Sequence, residues 1–220
     1  MDRIYLIVRL FSLRWKYRLV KIHIHNNQLL DIGCGTGNFL SECKRHGMEV
    51  HGVEPSSEAR SKAPSTIPIV SSMDYLPKIK FGAITLWHVL EHTYDLIQML
   101  EQIKIMLLDS GTIFIAVPNC ESDDAQHYKE AWAAYDVPRH VWHFSKLTMQ
   151  AALKRANLKV HAIIPMKLDA YYVSLLSEKN KSEGQLSVYG SLKAILAGLR
   201  SNLRGKRGMN YSSLLYIVQK

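Results

Sequence analysis

Apolar runs recur along the chain at intervals that alternate with amphipathic stretches. Short runs rich in Val, Ile and Leu occupy 28–32, 49–54, 67–70, 81–87 and 111–118, and they read as buried strands. Between them, Asn38 to His46 and Ser56 to Lys62 carry helical spacing, and Tyr94 to Leu107 puts Leu96, Leu100, Ile103 and Leu107 on one stripe. A side-chain period that switches repeatedly between 2 and 3.6 predicts βα units, hence a parallel sheet covered by helices. A helix over 145–156, with Ser145 as its cap, and a strand at 158–164 extend the series. Residues 119–144 break it with an irregular stretch rich in aromatics and histidines. The tail predicts helices over 170–178 and 192–203, then a seventh strand at 211–218.

Length and composition narrow this picture. A chain of 220 residues, 47% hydrophobic and 21% charged, can bury one full core and carries no tract of disordered composition. No apolar run is long enough to cross a bilayer, and Arg9, Arg14, Lys16 and Arg18 interrupt the apolar start that could pass for a signal peptide. Cys34, Cys43 and Cys120 form no CxxC pattern, so they are expected as free thiols in a reducing cytoplasm. A net charge of +9 draws phosphates, nucleic acid or an anionic membrane, and it serves solubility equally well. Lys193, Arg200, Arg204, Lys206 and Arg207 cluster on one amphipathic tail segment, which fits a peripheral contact with an anionic membrane.

The candidate chemistry begins at Leu29-Leu30-Asp31-Ile32-Gly33-Cys34-Gly35-Thr36-Gly37, between a predicted strand and a predicted helix. Glycines there let the backbone turn tightly against a ligand, and the helix start offers free N–H groups. The spacing is GxGxG, followed by Asn38 and Phe39, rather than the GxGxxG of a pyrophosphate-bearing dinucleotide site. Glu54, seventeen residues beyond Gly37, ends the second strand, where a carboxylate can accept from both hydroxyls of a ribose. A tight turn without a ligand and a solvated strand end explain each feature singly. Their joint occurrence in register with the strands favours a nucleoside.

Four blocks in order, namely 29–40, His51-Gly52-Val53-Glu54-Pro55-Ser56, 84–92 and 111–119, resemble the motifs of class I S-adenosylmethionine-dependent methyltransferases. Within that superfamily, Asp136-Val137-Pro138-Arg139-His140-Val141-Trp142-His143-Phe144-Ser145 is similar to a signature of the bacterial, ubiquinone O-methyltransferase-like group (methyltransferase domain 23). The resemblance implies a Rossmann-like, doubly wound sheet of seven strands, mostly parallel with an antiparallel last strand, plus a helical lid. It divides the chain into an N-terminal helical extension (1–27), a cofactor-binding core (28–165), a helical insertion or lid (166–209) and the final strand (210–220). It further implies that Asp31, Gly33, Cys34 and Gly35 line the methionine end of S-adenosylmethionine and that Glu54, beside Pro55, binds its ribose. Ser72, Met73 and Asp74 would flank the adenine, and Trp87 with His88 would close the pocket. Two departures stand out: the segment 56–67 is short for the usual helix, and Leu108-Asp109-Ser110-Gly111 replaces a Pro-Gly-Gly turn.

Methyl transfer is an in-line displacement, so a hydroxyl or carbon acid must be positioned and lose its proton. Histidine suits that task near neutral pH. His140 is the first candidate, with His88 as a second and Arg139 to anchor an anionic acceptor; a structural role fits the same residues. His88, Glu91 and His92 spell HxxEH, which is not the zincin order, and with no third ligand evident by spacing no metal is expected. The acceptor is expected to be a small or lipid-like molecule methylated on oxygen or carbon. A catalytically silent S-adenosylmethionine-binding module and an RNA methyltransferase are the alternatives. Nucleic acid is disfavoured because Trp87-His88-Val89-Leu90 stands where an Asn/Asp-Pro-Pro-Tyr/Phe motif would be.

Overall fold

The computed structural model describes residues 3–182 and 184–220, with side chains from residue 9 onward. Residues 1 and 2 of the expected N-terminal extension lie outside the described residues; α1 (Arg3–Lys21) accounts for most of the rest.

Strand β1 (Gln28–Ile32) runs parallel to β2 (Glu49–Val53) on one side and to β4 (Phe81–Trp87) on the other, so that Leu30 stands between His51 and Ile84. β3 (Ile69–Val70) adds in parallel outside β2. With β5 (Leu107–Pro118), β6 (Lys159–Pro165) and β7 (Ser213–Gln219), the described residues form one sheet of order β3-β2-β1-β4-β5-β7-β6. β4 is buried along nearly its whole length, as expected of a near-continuous apolar run in a sheet covered on both faces. The direction of β7 follows from its ends. The Asn119 N–H just past β5 donates to the Ser212 carbonyl just before β7 (2.8 Å), and Lys220 after β7 pairs with Asp109 near the start of β5 (2.8 Å). The Met166 N–H just past β6 likewise donates to the Ser213 carbonyl (3.1 Å). β7 is therefore antiparallel to both neighbours, which completes the doubly wound, mostly parallel sheet.

The helices are α2 (Asn38–Arg45), α3 (Ser57–Ser61), α4 (Leu96–Met106), α5 (Asp123–Tyr128), α6 (Lys146–Arg155), α7 (Lys167–Lys181) and α8 (Val188–Gly205). α6 starts as expected: the Ser145 hydroxyl accepts from the Thr148 N–H while the Thr148 hydroxyl accepts from the Ser145 N–H, a reciprocal capping box. Two elements differ from the pattern reading. β5 begins at Leu107, directly after α4, and the side chain of Leu107 lies over Gly111, where a Cβ would stand 2.8 Å from it. The segment 119–144 is not wholly irregular: Ser122 caps α5 by accepting from the Ala125 N–H.

The chain forms two compact units. One runs to Trp87, takes in Glu101–Phe114 and ends with Val218–Lys220; the other comprises His88–Leu100 and Ile115–Ile217. The first holds β1 to β4 and the turn at Gly33 to Gly37. In the second, Trp132, Tyr128, Ala125, Val173 and Ala197 form an apolar cluster joining α5, α7 and α8. Beside that cluster, the fully buried Asp124 accepts from Trp132 Nε1 (2.9 Å), Ser212 Oγ (2.7 Å) and Ser201 Oγ (2.6 Å).

Candidate functional site

The strand order reverses between β1 and β4, and in open α/β sheets ligands bind at the carboxyl ends of strands beside such a reversal. Gly33, Gly35 and Gly37 follow β1 with φ of 68°, 55° and 70°, left-handed backbone that penalises any side chain. A Cβ on Gly35 would meet nothing within 4 Å, so the loop leaves open space at that point. Gly52 has the opposite reason to lack a side chain: a Cβ there would stand 2.6 Å from Cys34 Sγ and 2.8 Å from Leu40 Cδ1. The Gly33 and Cys34 N–H groups donate to the Val53 carbonyl at 2.7 and 3.1 Å, which ties the turn to the end of β2.

There the Glu54 carboxylate accepts from the Gly35 N–H (2.9 Å) through Oε2 and from the Ser56 N–H (2.8 Å) through Oε1. Each oxygen keeps lone-pair capacity for a further donor, as a vicinal diol requires. Arg60 pins this backbone by donating to the carbonyls of Glu54 (2.6 Å) and Pro55 (2.8 Å). Ser72 caps a 3-10 turn at Met73–Tyr75 and donates to Asp74 Oδ2 (2.9 Å).

Asp31 is 2% exposed and accepts from Thr85 Oγ1 (2.6 Å). Burial pushes its carboxyl up to about 7, against the Thr85 hydrogen bond and the charge of Lys16, while Glu54 adds to the rise. The same burial, with Asp31 and Glu54 nearby, pushes the Cys34 thiol up to about 12, so it stays protonated. A turn so surrounded by carboxylates repels a pyrophosphate and favours a cationic nucleoside. S-adenosylmethionine, with its ribose diol, ammonium and sulfonium, fits that donor set. Trp87 ends β4 with its Nε1 buried and unpartnered, its ring edge-on to Phe39 and Lys16 Nζ 4.3 Å from its centroid.

The second unit contains a cavity of about 800 Å³, within the range of small-molecule sites. Apolar walls from Val137, Tyr172, Val173 and Leu176 face polar groups that include His88, Glu91, Arg139, His140 and Asp169. His88, at φ 58°, has Nδ1 3.2 Å from Glu91 Oε1 and Nε2 3.1 Å from Asp169 Oδ2. Burial opposes its charge, but the two carboxylates outweigh burial and push its pKa up to about 10. His88 is thus a fixed imidazolium with no lone pair to take a proton, and a role as base does not suit it. Asp169, in the first turn of α7, has no marker in the sequence that links it to His88.

His140 differs in both respects. Its Nδ1 is 2.8 Å from the Ala134 carbonyl, which can only accept, so the proton sits on Nδ1 and Nε2 keeps its lone pair. Burial holds its pKa below the ordinary value, so the ring is neutral at pH 7. The guanidinium of Arg139 lines the same cavity and is paired with Asp136 (2.7 Å). Trp132 serves the core rather than the cavity chemistry, its indole N–H spent on Asp124.

Comparison with known proteins agrees with this geometry. A family model described as a methyltransferase domain matches residues 6–163. A methyltransferase of Alkaliphilus oremlandii (strain OhILAs) is 31% identical over 102 residues, 43% of this chain and 47% of that relative, so the similarity spans about half of the relative's length. Among solved structures, an S-adenosylmethionine-dependent methyltransferase from Archaeoglobus fulgidus superposes with a TM-score of 0.64 at 18% identity, covering 100% of both chains. Geranyl diphosphate C-methyltransferase from Streptomyces coelicolor A3(2) does so with 0.62 at 14% identity, covering 98% of this chain and 82% of that one. At these identities the structures speak for the fold alone. The family match, which takes in the glycine turn, Glu54 and the His140 segment, carries the assignment: this chain belongs to the methyltransferase domain family.

Proposed function

We propose that the protein transfers a methyl group from S-adenosylmethionine to an oxygen or carbon of a small, lipid-like acceptor held in the cavity of the second unit. The observation that carries this reading is His140, a neutral imidazole on the cavity wall whose Nε2, 3.7 Å from Asp136 Oδ2 and beyond hydrogen-bond distance of it, keeps a lone pair able to take a proton from the acceptor. S-adenosylmethionine supplies an electrophilic methyl on a sulfonium. The residues that would hold it are Gly33, Cys34, Gly35 and Asp31 at the methionine end, Glu54 and Pro55 at the ribose, Ser72 and Met73 at the adenine, and Trp87 beside them. Arg139, which lines the cavity and is paired with Asp136 through one edge of its guanidinium, would anchor an anionic group on the acceptor, whereas the charge of His88 is taken up by Glu91 and Asp169. Calorimetry with S-adenosylhomocysteine tests the first half: the wild-type chain should bind it, and Glu54→Gln should weaken binding about tenfold or more by weakening the hydrogen bonds to the ribose. No binding by the wild-type chain overturns the proposal.

Support for a lipid-like acceptor comes from α8. Leu192, Ile195, Leu196, Leu199 and Leu203 are exposed at helical spacing along α8. Two of the five cations read as membrane-facing are engaged internally, since Arg200 and Arg204 both pair with Asp123 (2.7 and 2.8 Å). The apolar stripe, with Lys193, Lys206 and Arg207, remains suited to an anionic lipid surface. The protein should co-sediment with vesicles containing phosphatidylglycerol, and the double variant Leu192→Glu, Leu199→Glu should stay in the supernatant. Wild-type protein remaining in the supernatant removes the membrane from this proposal. Among the described residues, no helix is long and apolar enough to cross a membrane.

A further inference from the structure

Glu91 and His92 lie in a 3-10 turn (Leu90–His92) soon after β4, and His140 arrives from a distant segment. Two hydrogen bonds join the segments: the Val141 and Trp142 N–H groups both donate to the Glu91 carbonyl, at 2.8 and 3.2 Å. The His92 and His140 rings meet edge to face, centroids 4.5 Å apart. One donor atom from each of Glu91, His92 and His140 lies within 4.8 Å of the other two.

The protonation pattern of these side chains is that of ligands. His92 Nδ1 stands 3.0 Å from the Arg139 carbonyl and His140 Nδ1 stands 2.8 Å from that of Ala134. Carbonyl oxygens only accept, so both rings carry their proton on Nδ1 and present a bare Nε2. Metal-binding histidines are commonly oriented in this way, the second nitrogen donating to a carbonyl or carboxylate. The Glu91 side chain is 1% exposed; its Oε1 meets His88, while its Oε2 is buried with no partner at all. A buried carboxylate oxygen without a donor is a cost that a cation relieves.

We propose that Glu91, His92 and His140 bind a divalent first-row transition metal ion, with zinc as the probe. Two imidazoles and one carboxylate suit zinc, iron(II) or cobalt(II), whereas magnesium and calcium prefer all-oxygen shells. Metal–ligand bonds of about 2.0–2.2 Å in a tetrahedral site set donors about 3.4 Å apart, so the side chains close by no more than about 1.4 Å from the present spread of up to 4.8 Å. Three protein ligands leave a fourth position open. Glu91 and His140 both line the cavity, so that position takes water or an oxygen of the acceptor. This last point rests on the function proposed above; metal binding itself does not. With a metal bound, His140 Nε2 would be a ligand rather than the base, and the ion would supply in its place the acidification of a bound hydroxyl.

The test uses the full chain stripped with chelator, titrated with zinc by calorimetry and with cobalt(II) by visible absorption. One equivalent of zinc should bind, and cobalt should show the d–d bands of a low-coordinate nitrogen–oxygen site. His92→Ala, at an exposed side chain, and the isosteric Glu91→Gln should each weaken zinc binding at least a hundredfold, while His161→Ala on β6 should leave it unchanged. Failure of the wild-type chain to bind zinc, or zinc binding that survives His92→Ala, overturns the site. S-adenosylhomocysteine binding, measured on the same samples, separates the two ideas: its retention without zinc uptake sinks the metal site alone, and zinc uptake without it sinks the methyltransferase mechanism alone.

Discussion

Replacing Asp31 by asparagine is expected to make the protein more stable at pH 8 while weakening its hold on S-adenosylhomocysteine ten- to a hundredfold. The two effects share one cause. Burial raises the folded-state pKa of Asp31 from 3.8 to about 7, so between those values the native protein keeps a proton that the unfolded chain has lost. Its contribution to stability therefore falls as pH rises from about 4 to 7 and is flat above, where ionising the buried group costs roughly 4 kcal/mol. Asparagine keeps the acceptor for Thr85 and removes the ionisation, although its own N–H groups lack partners at every pH, leaving a net gain of about 1–2 kcal/mol at pH 8 and a net loss of about 2–3 kcal/mol at pH 4. Binding runs the other way. If Asp31 holds the ligand's ammonium, as proposed, its carboxylate contributes about 1.5–3 kcal/mol through a charge-assisted hydrogen bond, and only when ionised. Affinity of the wild-type chain should rise with pH up to about 7, whereas that of Asp31→Asn should not. Urea unfolding and calorimetry at pH 5, 6, 7 and 8 provide both curves, and equal slopes for the two proteins would refute the assignment.

A second large effect is expected at Asp124. This carboxylate ties α5 to α8 and to the residue preceding β7 through three donors, and no solvent reaches it. Asp124→Ala leaves the Trp132 indole N–H and two serine hydroxyls unsatisfied and opens a small void. Each stranded group costs about 1–3 kcal/mol, the hydroxyls less because they can rotate, so a loss of about 4 kcal/mol is expected. At this chain length that lowers the melting temperature by roughly 10 °C. Asp124→Asn should fall between the two, since it keeps one acceptor and turns an NH2 toward donors. A midpoint shift below about 2 °C for the alanine variant would show that the network is replaceable by water. Cofactor affinity, read from the first unit, should change little at a temperature where both proteins are folded.

What could be read from the chain depended on how local the cause was. β1 and β4 were legible to the residue because continuous apolar runs report full burial directly. The glycine turn and Glu54 were legible because their spacing is short and their chemistry specific, and the structure joins them by the Gly35–Glu54 hydrogen bond. The start of β5 was hidden because Asp109 and Ser110 are exposed strand residues with the composition of a turn. α5 was hidden because its buried side includes Asp124, a polar residue held by hydrogen bonds to partners far along the chain. The clamp on His88 by Asp169, and the meeting of His92 with His140, depend on which segments the fold brings together. No periodicity records such a meeting, which is why spacing alone offered no third metal ligand.

The position of β7 bears on how the protein folds. Among the described residues β6 pairs in the sheet with β7 alone, and β7 follows β6 in the chain by about fifty residues. β6 therefore waits, its edge unpaired, until residues 213–219 emerge and insert beside β5. Pairings between segments so far apart form slowly, because the loop between them must be closed before any contact rewards it. During that interval the exposed edges of β5 and β6 are open to strands of other chains. Refolding of this protein should accordingly be concentration-sensitive, with aggregation competing against the arrival of a single seven-residue strand.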